Sequence, residues 1–209
     1  MQITLTNTGK RFNREWIFRH VNYEFMPGRS YAITGPNGSG KSTLLQVIAG
    51  AVLHSEGEIG YSISASEVST RQVVAGTEAF RNISIATPYL ELIEEMTSNE
   101  FLSFHGTFKE FSMSVSDMLE AVSLQQAANK QIRYFSSGMK QRLKMAQAFF
   151  CKTPVLLLDE PTTNLDHDGI ALYRHLISNH TNGRLLIISS NDEQEYNFCD
   201  EVISISNYK

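Results

Sequence analysis

The 209-residue sequence predicts an α/β fold: a mostly parallel sheet, an N-terminal antiparallel β-lobe and a helical insertion subdomain. Three observations carry this. The first sixty or so residues alternate apolar and polar with period two, as half-buried antiparallel strands do. The last sixty or so alternate short, continuously apolar runs with helical segments, which indicates a parallel sheet covered on both faces. Between them lies a block that reads as helical. No repeat, low-complexity stretch or linker interrupts the chain, so residues 1–209 are expected to form a single domain, with the helical insertion at approximately 89–152.

Each element has its own signal. Ile3 and Leu5, then Val21, Tyr23 and Phe25, then Tyr31 and Ile33, and later Ile59, Tyr61 and Ile63 mark strands, with Pro27 and Gly28 forming a turn. Residues 41–49 read as a helix ending at Gly50. A strand-like run at 82–85 leads into an irregular segment, 87–95. Thr97 and Glu100 form a capping box ahead of Phe101, Leu102 and Phe104. Ser116 is expected to begin a short amphipathic helix carrying Met118, Leu119 and Val122, and a third helix carries Leu143, Met145, Ala146, Phe149 and Phe150. A buried strand at 155–158, a helix at 166–180 capped by Asp166, a buried strand at 185–188, a helix near 193–198 and a strand at 202–205 complete the pattern.

Composition is that of a globular protein, with 42% hydrophobic and 19% charged residues. The net charge of −4 argues against nucleic acid as the main partner, because phosphate backbones select clustered Lys and Arg. Cys151 and Cys199 have no metal-ligand spacing and are expected to be reduced thiols. No run approaches the ~18 apolar residues of a membrane span, and the N-terminus lacks the features of a signal peptide. The expectation is a soluble, cytoplasmic chain that reaches any membrane by docking to something else.

The run Gly35-Pro36-Asn37-Gly38-Ser39-Gly40-Lys41-Ser42 matches G-x-x-x-x-G-K-[ST] between a strand and a helix, the setting that gives the pattern its mechanism. Its glycines let successive backbone N–H groups wrap a phosphate at the positive end of a helix. Lys41 would reach the β- and γ-phosphates and Ser42 would ligate Mg²⁺, with Thr43 as a further nucleotide-binding candidate. The core is thus expected to be a P-loop NTPase with ATP and Mg²⁺ as cofactors. The apolar run 155–158 ends in Asp159 and Glu160. Asp159 is positioned to hold Mg²⁺ through its shell (the Walker B role), and Glu160 to face the water that attacks the γ-phosphate.

The segment Phe135-Ser136-Ser137-Gly138-Met139-Lys140-Gln141-Arg142 resembles the L-S-G-G-Q signature of ATP-binding cassette (ABC) ATPases, and Thr163-Asn164-Leu165-Asp166 resembles their D-loop. The resemblance covers essentially the full chain, with the motifs in the family's order. It implies a head-to-tail dimer, homo- or heteromeric, in which Ser136, Ser137 and Gly138 of one subunit meet the γ-phosphate of ATP held by the other.

The chain also departs from the family pattern. Ser137 replaces a glycine and Met139 a glutamine of the signature. Thr87 and Pro88 stand where the glutamine loop has Pro and Gln, so the glutamine's Mg²⁺ contact is lost or made by another residue. Glu94 and Glu95 are expected to be a solvated surface. Asn191 replaces the switch histidine; an amide can donate to the γ-phosphate but cannot titrate, so slower hydrolysis is expected, with Glu160 as base. Glu160, Lys41 and Asn191 are the catalytic candidates. For the aromatic that the family stacks on adenine, Phe12 is the first choice and Trp16 the second, and the six histidines are expected to be structural.

The resemblance implies the nucleotide-binding subunit of an ABC transporter, working with separate transmembrane transporter subunits and peripheral at the cytoplasmic face of the membrane. The signature's form and the short C-terminus point to export. Alternatives are a soluble ABC ATPase, or a low-turnover ATP switch not coupled to transport.

Overall fold

A computed structural model describes residues 1–64 and 71–209. Strands β1 (Gln2–Phe12), β2 (Glu15–Phe25), β4 (Glu56–Ser64) and β5 (Arg71–Val74) form an antiparallel sheet in the order β2-β1-β4-β5. Strands β3 (Ser30–Thr34), β6 (Ile83–Ala86), β7 (Val155–Asp159), β8 (Leu185–Ser189) and β9 (Glu201–Ser204) form the second sheet, in the order β6-β7-β8-β3-β9 with every neighbouring pair parallel.

The second sheet separates two hydrophobic cores, which explains why its strands read as unbroken apolar runs. Val155 and Leu157 of β7 and Leu185 and Ile187 of β8 pack with Leu44, Leu45 and Ile48 and with the inner face of the antiparallel lobe. The residues alternating with them, Leu156, Leu158, Leu186 and Ile188, join Leu143, Met145, Phe149 and Tyr173 on the other side. A central strand with both faces covered has no polar face to show.

The helices are α1 (Lys41–Ile48), α2 (Ser98–Gly106), α3 (Val115–Ala121), α4 (Ser137–Phe149), α5 (His167–His180) and α6 (Glu193–Tyr196). The capping box forms as expected: Glu100 N donates to Thr97 Oγ1 over 3.2 Å, and Thr97 N to Glu100 Oε2 over 2.8 Å. Asp166 caps α5 by accepting from Gly169 N. The third cap differs from expectation. Ser114, not Ser116, precedes α3, because its hydroxyl lies three residues before Asp117 and accepts that N–H. Helix α6 stops at Tyr196, whose carbonyl receives Cys199 N in a turn, and β9 begins one residue earlier than the apolar run suggests. Among the described residues no helix is long and apolar enough to cross a membrane.

Candidate functional site

The site gathers at the carboxyl edge of the parallel sheet, where ligands of open α/β sheets bind. Register places Asp159 opposite Ser189, and Ser189 opposite Ile33, so the ends of β3, β7 and β8 meet there. Beyond β3 the chain enters the glycine-rich loop. Gly38 and Gly40 have φ of 74° and 99°, left-handed values that cost L-residues strain. A Cβ on Gly40 would also stand 2.4 Å from Ile17 Cγ2. Gly40 is the N-cap of α1 and offers no side-chain cap, and no acid lies in the first turn. The free N–H groups and the positive end of the helix dipole are left for an external anion.

Lys41 is 4% exposed and points back over its own loop, donating to Gly35 O (2.9 Å) and Pro36 O (3.3 Å). With Ser42, Thr43 and Glu160 it lines a cavity of about 400 Å³. Asp159 is 1% exposed, and its Oδ1 closes no hydrogen bond. Burial raises its pKa, the hydroxyls of Ser42 and Ser189 and the Lys41 ammonium pull it down, and Glu160 adds a smaller upward push. A buried carboxylate with an orphaned oxygen beside a serine hydroxyl suits a hard divalent cation that completes its shell with water and phosphate oxygens. Among the described residues no cluster of three or more His, Cys, Asp or Glu could hold a metal by itself, so such an ion would depend on those outside ligands.

Glu160 has a left-handed backbone, φ 43°, with its N–H donating to Ser189 O over 2.8 Å. A non-glycine residue held this way stores strain in a position fixed by its surroundings. Its side chain borders the phosphate-loop cavity and a second one of about 230 Å³, which Asn191 also lines. Asn191 Nδ2 donates to Asn37 Oδ1, joining the end of β8 to the phosphate loop across 154 positions of sequence.

Other candidates lie elsewhere. Ser136, Ser137 and Gly138 line a separate cavity of about 580 Å³, with none of the phosphate-loop residues. Ser136 caps α4 by accepting from Met139 N, and a Cβ on Gly138 would sit 3.1 Å from Asn164 O, so the signature turn abuts the D-loop of the same chain. Phe12 is half-exposed at the tip of β1 with the Lys10 ammonium 4.7 Å above its ring, and it does not line the phosphate-loop cavity. Trp16 is covered by the Arg19 guanidinium at 4.1 Å. The apolar wall of the cavity comes instead from Ile17 and Tyr89. Pro88 offers its carbonyl to Lys144 Nζ, while Glu94 and Glu95 are exposed and pair with Lys140 and Arg133 respectively. The Lys140 hydrogen bond lowers the Glu94 pKa.

Four contributors escaped the sequence reading: Ile17 and Tyr89 at the cavity, Gln141 on the Pro161 carbonyl and Glu195 behind Thr162. For Glu195 no local signal existed, because α6 is a single turn, Glu193–Tyr196, too short to show a periodic face.

The sequence model of the ABC transporter family matches residues 18–163. An ABC transporter ATP-binding protein of Bacillus subtilis, YybJ, is 28% identical over 209 residues, 98% of this chain and 92% of its own. The cytochrome c biogenesis ATP-binding export protein CcmA of Xylella fastidiosa is 32% identical over 164 residues, covering 77% of this chain and 70% of that one. The chain spans 63% and 59% of the length of two longer relatives that it also matches. In fold it is similar to the dimeric, post-hydrolysis ATP-binding cassette MJ0796 with ADP and Pi, at a TM-score of 0.76, 24% identity, and 97% and 93% coverage of the two chains. On the family match, and with a strand, phosphate loop and helix arranged as described, this chain belongs to the ABC transporter family as one of its ATP-binding ATPases.

Proposed function

We propose that the chain binds MgATP in the 400 Å³ cavity and hydrolyses it to drive transport, through separate transmembrane subunits at whose cytoplasmic face it sits. The observation that carries this reading is the convergence of Lys41, Ser42, Asp159 and Glu160 at one sheet edge. Backbone N–H groups of the loop and the α1 N-terminus bind the phosphates. Lys41 leaves its two loop carbonyls for phosphate oxygens, which are stronger, charged acceptors. Ser42 and Asp159 would hold Mg²⁺, which supplies charge neutralisation on the transferred phosphoryl group. Glu160, fixed by its backbone, orients the attacking water and accepts its proton. The whole of residues 1–209 acts as one cassette, with the helices between β6 and β7 forming its insertion.

The signature lies in its own cavity, and so meets nucleotide only when a second cassette, identical or related, supplies the complementary half. Glu160→Gln with ATP tests this: the variant should form a stable dimer in sedimentation, and a monomer at saturating nucleotide refutes the assembly. Export is the direction we propose, supported by the signature's form; the relatives include both export and import proteins. A low-turnover switch is the second reading, favoured by Pro88 and by an Asn191 amide already engaged with Asn37. Turnover measured with the co-purifying membrane protein separates the two.

A further inference from the structure

Glu195 is an acid with no assigned task in the reading above. Its residue is 3% exposed, and no cation pairs with it among the described residues. Burial holds its carboxyl above the ordinary range, an effect that the neighbouring hydroxyls of Ser190 and Thr162 only partly offset. A buried carboxylate without a cation is costly, and packing alone would favour an apolar side chain.

The contacts show what Glu195 holds. Its Oε1 accepts the backbone N–H of Thr162 at 2.8 Å and the Thr162 hydroxyl as well. Its own backbone is tied on two sides: the N–H donates to Asp192 O, and the carbonyl accepts the buried Tyr173 hydroxyl at 2.6 Å. Its Oε2 closes no hydrogen bond, the Ser190 hydroxyl beside it being engaged with the backbone of Asp192. Glu195 borders the 230 Å³ cavity that Glu160 and Asn191 also line. Thr162 follows Glu160 by two residues, and Asn191 precedes Glu195 by four. The carboxylate therefore fastens the segment carrying Glu160 to the segment carrying Asn191.

We propose that Glu195 is a positioning residue for hydrolysis, holding Thr162 so that Glu160 and Asn191 face the γ-phosphate in fixed relation. The proposal rests on the reading of Glu160 as the group that orients water. It predicts a loss of turnover without a loss of nucleotide binding, because the hydrogen bonds of Glu195 go to Thr162, Asp192 and Tyr173 rather than to the phosphate loop or Asp159. Small misplacements of a catalytic group cost up to about a hundredfold in rate.

The test uses the full chain with its membrane partner, measuring kcat and KM for ATP and the Kd of a fluorescent ATP analogue. Glu195→Ala should lower kcat about tenfold or more, with KM and Kd within about twofold of the parent. Glu195→Gln keeps an oxygen for both Thr162 donors and should recover most of the rate. Thr162→Val, which removes only the hydroxyl donor, should lower kcat less and serves if Glu195→Ala does not fold. The proposal is overturned if Glu195→Ala retains parental kcat, if its kcat and Kd worsen in parallel, if Glu195→Gln is no better than Glu195→Ala, or if Thr162→Val is unchanged. Glu160→Gln, assayed alongside, separates the layers. If it turns over at the parental rate, the reading of Glu160 falls and this proposal with it. If it is inactive while Glu195→Ala is unimpaired, only the role of Glu195 falls.

Discussion

The side-chain amide of Gln141 donates to the carbonyl oxygen of Pro161 over 2.9 Å. Gln141 lies one helical turn into α4, whose first turn carries the signature, and Pro161 follows Glu160 directly. Two residues are thereby joined that would serve different nucleotide sites in the head-to-tail dimer proposed above. One residue further along α4, Arg142 pairs with Asp166 at 3.1 Å, gripping the far end of the D-loop.

Gln141→Leu should therefore destabilise the fold, because it leaves the Pro161 carbonyl unpaired in a buried place. The expected cost is about 1–3 kcal/mol. Urea denaturation of the isolated chain measures it. An unchanged midpoint would mean that water reaches the carbonyl.

Asn191→His should raise the turnover of the assembled transporter, since an imidazole can both reach a phosphate oxygen and exchange a proton. The variant also breaks the Asn191–Asn37 contact, so Asn37→Ala is the control for loop release alone. If Asn191→His turns over no faster than the parent, the asparagine is not what limits the rate.

Arg184 carries a part-buried guanidinium that donates to Phe149 O at 2.9 Å and His180 O at 3.3 Å, and to the hydroxyls of Ser84 and Thr153. It sits at the carboxyl ends of α4 and α5, where helix dipoles favour a cation. Burial lowers its pKa to about 10, which leaves it charged at neutral pH. Arg184→Met should cost about 1–3 kcal/mol by leaving neutral acceptors unpaired, and Arg184→Lys should recover only part of that, since one ammonium cannot span the set. Thermal unfolding of the two variants tests the ranking.

His105 predicts acid sensitivity. Packed beside Cys151 and stacked on Phe111, it is depressed by burial, and further by Lys109, to a pKa of about 4, against 6.5 as its ordinary value. Between those values the unfolded chain binds a proton that the folded chain refuses. Stability contributed by this site is complete above pH 6.5 and is lost as pH falls through the window towards 4. His105→Gln should flatten the fall in melting temperature between pH 6.5 and 4.5. A variant curve parallel to the parent's would assign the acid sensitivity to other groups, of which His180 is the next, lowered first by burial.

Much of this protein was written locally. The phosphate loop, the acids ending β7, the signature turn and the Asp166 cap are each specified within about eight residues, because backbone turns, helix starts and strand faces depend on near neighbours. The continuous apolar runs announced the buried parallel strands for the same reason. Ser114 in place of Ser116, and the early end of α6, show the limit of that reading: which hydroxyl finds an N–H, and where a helix stops, is settled by the turn that follows.

What only the tertiary structure decided is which distant residues share a cavity. Nothing local to Asn37 specifies Asn191, nothing in Thr162 specifies Glu195, and no periodicity sends Ile17 and Tyr89, rather than Phe12, to the wall of the phosphate-loop cavity. These contacts cross strands and helices brought side by side by burial of two cores, and burial is satisfied by any apolar surface of suitable shape. Chemistry at a site was thus legible in the motifs, while the supporting contacts followed from packing that no short segment encodes.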